Sequence, residues 1–138
     1  MHVQAYLMFN GRTEEAIAFY KEAVGAEATV LMRFKDAPEP PPPGMVPDGW
    51  DEKVMHSSFR IGNTELMASD GCGSDGAAFT GISLALSVES PEDAAVKFAA
   101  LAEGGQVTMP LARTFFSPSF GSLTDRFGVS WMIVTCAT

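Results

Sequence analysis

The order of predicted elements repeats within the chain, and this repeat most limits what the chain can fold into. A strand, a helix and three further strands are predicted over about 1–70, and the same order is predicted over about 79–138. One helix cannot cover both faces of a sheet, so each half needs a partner. We therefore predict one α+β domain spanning 1–138. Two βαβββ modules would form a curved, mixed eight-stranded sheet with the helices outside and a cavity inside.

Local start and stop signals define both helices. Thr13 is predicted to cap the first helix, which ends at Gly25. Ser90 is predicted to cap the second helix, with Pro91 at its first position and Gly104-Gly105 at its end. Apolar runs between turn residues predict the strands as Val3–Phe9, Ala28–Phe34, Lys53–Ile61, Thr64–Ser69, Gly81–Val88, Gln106–Leu111, Phe120–Leu123 and Val129–Cys136.

Two segments are predicted to be irregular. Residues Lys35–Trp50 hold six prolines and two glycines, a composition typical of a long surface loop. The part 36–50 is interpreted as a lid, a dimer arm or a disordered segment, and the sequence leaves these alternatives open. Residues Asp70–Gly76 are interpreted as a linker between the modules.

Aromatic side chains concentrate in the stretch Arg113–Ile133, which holds five of the fourteen aromatic residues. Within this stretch, Asp125-Arg126-Phe127-Gly128 separates two apolar runs, a pattern typical of a hairpin in which Gly128 takes positive φ. So much aromatic surface must either fill a core or wall a pocket.

Composition excludes several classes of protein. The formal net charge of −8 argues against binding to nucleic acid or anionic membranes, which call for basic patches. No apolar run approaches the ~20 residues that cross a bilayer, and no signal peptide is visible at Met1. Cys72 and Cys136 lie far apart in the sequence, which fits reduced thiols in a cytoplasmic protein. A disulfide between them is the alternative.

Six segments of the chain carry a resemblance to a known family. They are Tyr6–Gly11, Glu14–Tyr20, Val54–His56, Leu66–Asp70, Gly104–Leu111 and the stretch from Thr114 to Ile133, which ends F-G-S-L-T-D-R-F-G-V-S-W-M-I. Together they resemble the PhnB group of the glyoxalase/bleomycin-resistance, or vicinal oxygen chelate, superfamily. The resemblance covers nearly the whole chain, and it implies paired βαβββ modules, a cup-shaped cavity and a homodimer.

The metal-using branches of that superfamily take four ligands from the first and last strands of each module. Transferred to this chain, those positions fall at Ala5, at Leu66 (or Glu65 one residue earlier), at Ser83 and at Met132. Alanine, leucine and methionine cannot serve a Zn²⁺ or Mn²⁺ site, which takes imidazole, thiolate or carboxylate ligands. We therefore predict no metal ligand and no cofactor, although a divalent metal stays possible if the register differs.

His56 is the strongest polar candidate. Strand alternation predicts that Val54, His56, Ser58 and Arg60 share a face directed to the cavity or to solvent. His56 can donate to an anionic ligand or act as a base, or it can be a structural histidine. Asp70 is a second catalytic candidate, with local loop bonding as the alternative.

Further residues are predicted to line a ligand cavity. Arg113 can pair with an anionic substrate, or it can lie at the surface or in a dimer salt bridge. The aromatic candidates can equally be core, and the methionines can be routine gap-fillers. Besides Ser58 and Arg60, the predicted lining residues are Met67, Arg113, Phe115, Phe116, Phe120 and Trp131, and Trp50 at the end of the proline-rich loop is a further aromatic candidate.

Two functions follow from these candidates. The first is metal-free binding of a small, partly apolar organic molecule in the cup of a homodimer. The second is a lyase, an isomerase or another glyoxalase-like enzyme, with His56 as base, or with His56 and Glu65 or Asp70 on a metal. Family members sometimes carry a label for ubiquinone methylation, but G-C-G-S-D-G (71–76) lacks the strand-to-helix context of a cofactor loop.

Overall fold

The predicted order of elements occurs twice in the structure, a computed structural model that describes residues 1–39, 42, 44–71 and 78–136. The chain divides into two units, Met1–Ala77 and Ala78–Thr138. In the part of the chain that is described, no helix is long and apolar enough to cross a membrane.

Each unit contains one βαβββ module, which confirms the predicted α+β class. The first unit contains β1 (Tyr6–Met8), α1 (Thr13–Val24), β2 (Glu27–Arg33), a 3₁₀ turn (Phe34–Asp36), β3 (Val54–Ile61) and β4 (Thr64–Ser69). The second unit contains β5 (Ser83–Val88), α2 (Pro91–Ala102), β6 (Gln106–Ala112), β7 (Phe120–Thr124) and β8 (Ser130–Thr135).

Both units have the same strand order. The first sheet has the order β1-β4-β3-β2 and the second has the order β5-β8-β7-β6. In each sheet the first strand of the module runs parallel to the last, and the remaining pairs are antiparallel. Shared topology supports the internal repeat more strongly than the faint identity between the two halves.

One helix covers one face of each sheet. In the first unit, the ring of Tyr20 on α1 stacks on Phe59 of β3 with centroids 6.1 Å apart. Leu66 of β4 pairs with Phe59 in the sheet register and shares its burial. Alternation then places Met67 and Ser58 on the opposite face. That opposite face, called the first open face below, carries Tyr6, Met8, Val30, Met32, His56, Ser58, Arg60 and Met67.

The helix ends confirm two predictions and correct one. Gly25 ends α1 in the left-handed conformation (φ 72°), and the Ser90 side chain accepts a hydrogen bond from Asp93 N at 3.1 Å. The predicted cap at Thr13 is wrong, because Thr13 already lies in the helix. Its N–H instead donates to Asp70 Oδ1 over 2.9 Å. The buried Thr13 hydroxyl has no hydrogen-bond partner among the described residues.

Of the predicted turns and loops, one is confirmed, one strand end is corrected and one segment lies mostly outside the described residues. Gly128 has φ +90° between β7 and β8, which confirms the predicted hairpin. Phe34, predicted to end a strand, begins the short 3₁₀ turn instead. Most of the predicted linker after Asp70, including Cys72, lies outside the described residues.

Candidate functional site

His56 lies on the first open face and is hydrogen-bonded across the sheet. Its Nδ1 lies 3.1 Å from the hydroxyl of Tyr6, and the two ring centroids are 5.8 Å apart. Tyr6 belongs to β1 and His56 to β3, and β4 lies between these strands. The pair therefore spans three strands and forms a polar bridge on an otherwise largely apolar surface.

Apolar side chains surround the Tyr6–His56 pair. Met67 on β4 is the register partner of Tyr6 on one side and of Ser58 on the other. Val30 on β2 is in turn the register partner of Ser58. Tyr6 is 40 % exposed, Val30 is 47 % exposed and Met8 is 50 % exposed. Exposed apolar surface beside a few polar groups is typical of small-molecule binding sites.

A bulge on β3 shapes this face. Met32 pairs with His56 and Arg33 pairs with Val54, so one step on β2 matches two steps on β3. The predicted alternation therefore breaks at Met55, and Val54 is 1 % exposed instead of sharing the environment of His56. Ser58 keeps the predicted face but is itself buried.

Arg60 lies at the far end of the same face and is exposed. Its guanidinium pairs with Glu27 on β2 at 2.7 Å, and both side chains are at least half exposed. The contact is a surface ion pair of the kind that contributes little stability. The residue reaches the predicted face, with its charge already balanced by Glu27.

Asp70 occupies a different environment from His56. Its side chain is buried, and Oδ1 accepts hydrogen bonds from the backbone N–H groups of Gly11 and Thr13, both at 2.9 Å. Oδ2 accepts from the backbone N–H of Val54 at 2.8 Å. The carboxylate thus joins the start of α1 to β3 and makes no hydrogen bond to His56. The geometry is that of a structural helix cap.

A polar cleft of about 260 Å³ lies beside this cap. Arg33 donates two hydrogen bonds to the carboxylate of Glu14, at 3.0 and 2.7 Å, and one to the backbone oxygen of Glu52 at 2.8 Å. The ammonium of Lys53 donates to the backbone oxygen of Gly11 at 3.0 Å. The charged groups of Arg33 and Lys53 in this cleft thus already have hydrogen-bond partners within the protein. The lining residues are Gly11, Glu14, Arg33, Glu52, Lys53, Val54 and Asp70.

The predicted aromatic lining lies in the second unit and is divided between the surface and the core. Phe115 is fully exposed and Phe116 is 47 % exposed. Their rings meet edge-on at 5.2 Å, and Phe116 meets Phe120 edge-on at 5.1 Å. Arg113 is exposed and forms no ion pair with any residue in the described ranges. Arg113, Phe115 and Phe116 are exposed before β7, whereas Phe120 begins β7 and is half-buried.

Trp131 was predicted to wall a ligand cavity, and its side chain lies in the core instead. It is 2 % exposed and pairs in the sheet with Leu84 and Leu123. Its indole Nε1 donates to Asp125 Oδ2 at 2.9 Å. The neighbouring Met132 points to the other face of the sheet.

The donor set does not fit the metal site that the fold family implies. Leu66 is on the helix-covered face, and the Ser83 hydroxyl donates to that of Ser130 at 2.9 Å. Ala5 precedes β1, and Met132 offers only a thioether. Glu65, the alternative position, accepts a hydrogen bond from Gln4. Across 1–39, 42, 44–71 and 78–136, no group of three or more His, Cys, Asp or Glu side chains is arranged to hold a metal ion.

Sequence reasoning missed Tyr6 as a site residue. Alternation along β1 could have shown that Tyr6 and Met8 share one face while Leu7 and Phe9 are buried on the other. The pairing of Tyr6 with His56, 50 residues away, could not be read from the sequence without the strand order.

Residues 1–134 match the model of the family described as 3-demethylubiquinone-9 3-methyltransferase. Protein YjdN of Escherichia coli K12 is 35 % identical over 140 residues, covering 96 % of this chain and 94 % of YjdN. Protein PA1353 from Pseudomonas aeruginosa is 39 % identical, with a TM-score of 0.85, and the match covers 99 % of this chain and 98 % of PA1353.

A PhnB protein from Bacillus cereus is 30 % identical, with a TM-score of 0.81, covering 99 % of this chain and all of that one. A glyoxalase/bleomycin resistance protein from Albidiferax ferrireducens T118 is only 16 % identical but has a TM-score of 0.63, covering 99 % of both chains. The last likeness concerns the fold alone, and it confirms the predicted glyoxalase/bleomycin-resistance architecture.

Proposed function

The chain belongs to the family described as 3-demethylubiquinone-9 3-methyltransferase, and we propose that it binds a small, partly apolar organic molecule without a metal ion. The observation that carries this proposal is the Tyr6–His56 hydrogen bond of 3.1 Å, set among exposed apolar side chains on the first open face. A polar pair inside an apolar surface offers both a point of orientation and an area to bury.

The apolar part of the ligand would rest on Met8 and Met67, and its polar part would meet His56. Methionine adapts its shape to irregular partners, so two methionines suit a site that accepts an uneven apolar surface. Burying apolar area there would supply most of the binding free energy, and the imidazole would fix the orientation.

Two arguments limit the chemistry that this proposal includes. The positions that hold a metal in related folds carry Ala5, Leu66, Ser83 and Met132, whose side chains do not form a metal site. The glycine-rich segment 71–76 is followed by strand β5, whereas a dinucleotide-type loop leads into a helix. The methyl transfer in the family description is therefore not part of the proposal.

Isothermal titration of the protein against a broad panel of small organic molecules tests the proposal. We expect at least one ligand, and we expect Met67→Ala to weaken its binding about tenfold, the effect of about 1.4 kcal/mol. Val96→Ala is the matched control, because Val96 is an apolar residue that is 68 % exposed on α2. A panel without any ligand, or equal affinity in Met67→Ala, would contradict the proposal.

A second function, acid–base catalysis by His56, is favoured by one further observation. Within the described part of the chain, Nε2 of His56 has no hydrogen-bond partner, so this nitrogen is available to a substrate. A metal-assisted version with Asp70 is less favourable, because both oxygens of that carboxylate already accept backbone hydrogen bonds. Loss of turnover in His56→Gln with an unchanged circular dichroism spectrum is expected for an enzyme, and an unchanged rate would contradict it.

Homodimer formation is part of the same proposal. The resemblance to PhnB proteins implies it, and the outer strands β2 and β6 support it. Both strands lie at sheet edges and expose apolar residues, namely Val30, Leu31, Val107 and Met109. Sedimentation equilibrium should give twice the chain mass of 14.7 kDa, and a monomer at micromolar concentration would contradict it.

We place this activity in the cytoplasm. The exposed free thiol of Cys136 fits a reducing compartment, where thiols stay unpaired. Cell fractionation should recover the protein with cytoplasmic markers.

A further inference from the structure

The hydrogen bond between Tyr6 and His56 has a chemical direction. A neutral imidazole has one N–H donor and one acceptor nitrogen, so a hydrogen bond accepted by one ring nitrogen places the proton on the other. A phenol hydroxyl is a good donor, whereas its oxygen is a weak acceptor because its lone pair is delocalised into the ring. The favourable arrangement is Tyr6 O–H donating to Nδ1 of His56, at the observed 3.1 Å.

Groups that could impose the opposite tautomer are engaged elsewhere. A carboxylate or carbonyl at Nδ1 would place the proton there. The carboxylate of Asp70 instead accepts hydrogen bonds from backbone N–H groups. Glu65 accepts from Gln4, and Glu27 pairs with Arg60. Tyr6 is therefore the group that orients the ring.

We propose that Tyr6 is a positioning residue that holds His56 in the Nε2–H tautomer, so that the first open face presents an N–H donor to a ligand with a carbonyl oxygen. This inference rests on the proposed binding function and names the ligand class. The carbonyl oxygen would accept from Nε2, and the apolar remainder would lie on Met8 and Met67.

Charge favours a neutral carbonyl over a carboxylate at this position. The chain has a formal net charge of −8, which repels anions at long range. Arg60, a cation on the same face, is paired with Glu27 at 2.7 Å. The expected ligand head group is thus a ketone, an ester or an amide.

The tautomer is measured directly in the unliganded protein. A long-range ¹H–¹⁵N correlation spectrum of ¹⁵N-labelled protein, recorded at alkaline pH where imidazoles are neutral, distinguishes the protonated ring nitrogen from the unprotonated one. We expect Nε2 to be protonated in His56. In Tyr6→Phe, which keeps the ring and loses the hydroxyl, we expect both nitrogens to shift toward the values of a tautomer mixture.

Two controls make this result specific. His56→Gln assigns the signals, because the chain has only two histidines. His2, whose Nε2 contacts Gln4, should keep its spectrum in Tyr6→Phe. A protonated Nδ1 in the wild-type protein, or an unchanged His56 spectrum in Tyr6→Phe, would overturn the role of Tyr6.

Three probes of matched size test the ligand class: acetophenone, benzoate and ethylbenzene. Following the methyl signal of Met67, we expect acetophenone to bind roughly fivefold more tightly than ethylbenzene, the effect of one hydrogen bond, and benzoate to bind more weakly than acetophenone. Tyr6→Phe should reduce the advantage of acetophenone over ethylbenzene.

The outcomes separate this inference from the binding function. Equal affinity for acetophenone and ethylbenzene would overturn the carbonyl preference while leaving an apolar binding face in place. Tighter binding of benzoate would also overturn it, in favour of an anion. No response to any probe would overturn the ligand class, whereas the ring spectrum of the unliganded protein decides the role of Tyr6 by itself.

Discussion

The indole Nε1 of Trp131 donates a hydrogen bond to Oδ2 of Asp125 over 2.9 Å, and both side chains are buried in the second unit. Asp125 Oδ1 also accepts from the backbone N–H groups of Phe127 and Val129, so one carboxylate orders the turn and anchors the indole. This arrangement indicates that Trp131 stabilises the folded second unit and does not line a ligand cavity.

Trp131→Phe should therefore lower the free energy of unfolding by about 2–4 kcal/mol, through a lost hydrogen bond and a cavity. Urea denaturation measures this change. Trp50→Phe is the matched control, because Trp50 is only half-buried and packs edge-on against Phe34. We expect this variant to lower the free energy of unfolding by less than about 1 kcal/mol. Equal costs for the two variants would contradict the assignment.

Asp70 should also be a stability residue. Asp70→Ala leaves three backbone N–H groups without their acceptor, two of them at the start of α1, and should cost about 2–4 kcal/mol. Asp70→Asn should cost less, since its amide oxygen can still accept at one side.

Chemical denaturation measures both variants of Asp70, and Asp48→Ala is the control because Asp48 is exposed and lies in the loop. If Asp70→Ala kept wild-type stability, the capping role would be wrong. Loss of a ligand or of turnover without loss of stability would revive the catalytic role predicted from the sequence.

The ion pair of Glu14 with Arg33 should make stability depend on pH. The hydrogen bond from Arg33 lowers the pKa of the Glu14 carboxyl below its ordinary value. A lowered folded-state pKa stabilises the protein above the unfolded pKa of about 4.3, and this contribution is lost as the pH falls through the lowered folded value.

Glu14→Gln tests this dependence. The variant should be less stable than wild type near neutral pH and should converge with it in acid. Glu22→Gln, an exposed change on the same helix, is the control for the loss of one negative charge. Urea unfolding between acid and neutral pH measures both, and a constant deficit for Glu14→Gln would exclude the ionic origin.

Gly121 on β7 allows α2 to approach the second sheet closely. An added Cβ at this position would lie 2.9 Å from the backbone oxygen of Met109 and 2.9 Å from Cε2 of Phe98. Gly121→Ala must therefore displace strand or helix, at a cost of about 1–3 kcal/mol. Thermal unfolding measures this, and Ser122→Ala, on the other face of the same strand, should change stability by only about 0.5 kcal/mol.

Local signals explain why the fold was predictable. Gly25, Ser90 and Gly128 each act within a few residues of the chain, so a helix end, a cap and a hairpin turn could be placed from neighbours alone. The βαβββ order followed from these boundaries. The cap on α1 was missed because its acceptor, Asp70, lies 57 residues beyond Thr13.

The candidate site was less predictable, since it depends on which face each strand turns inward. Both faces of β8 are largely apolar, so alternation could not tell Trp131 from Met132, and the indole was assigned to the wrong side of the sheet. On β3, a bulge at Met55 interrupts the alternation. His56 was found because a histidine on a strand is conspicuous, whereas Tyr6 needed the parallel pairing of β1 with β4.

The position of β1 at the edge of its sheet, hydrogen-bonded to β4, has a consequence for synthesis on the ribosome. During synthesis, the strand partner of Tyr6, Met67, is added 61 residues after it. The N-terminal strand must therefore stay unpaired, and open to chaperones, until β4 emerges. β1 is thus the first strand of this unit to be synthesised, but it can join the sheet only after β4, the last strand of the unit, has been made.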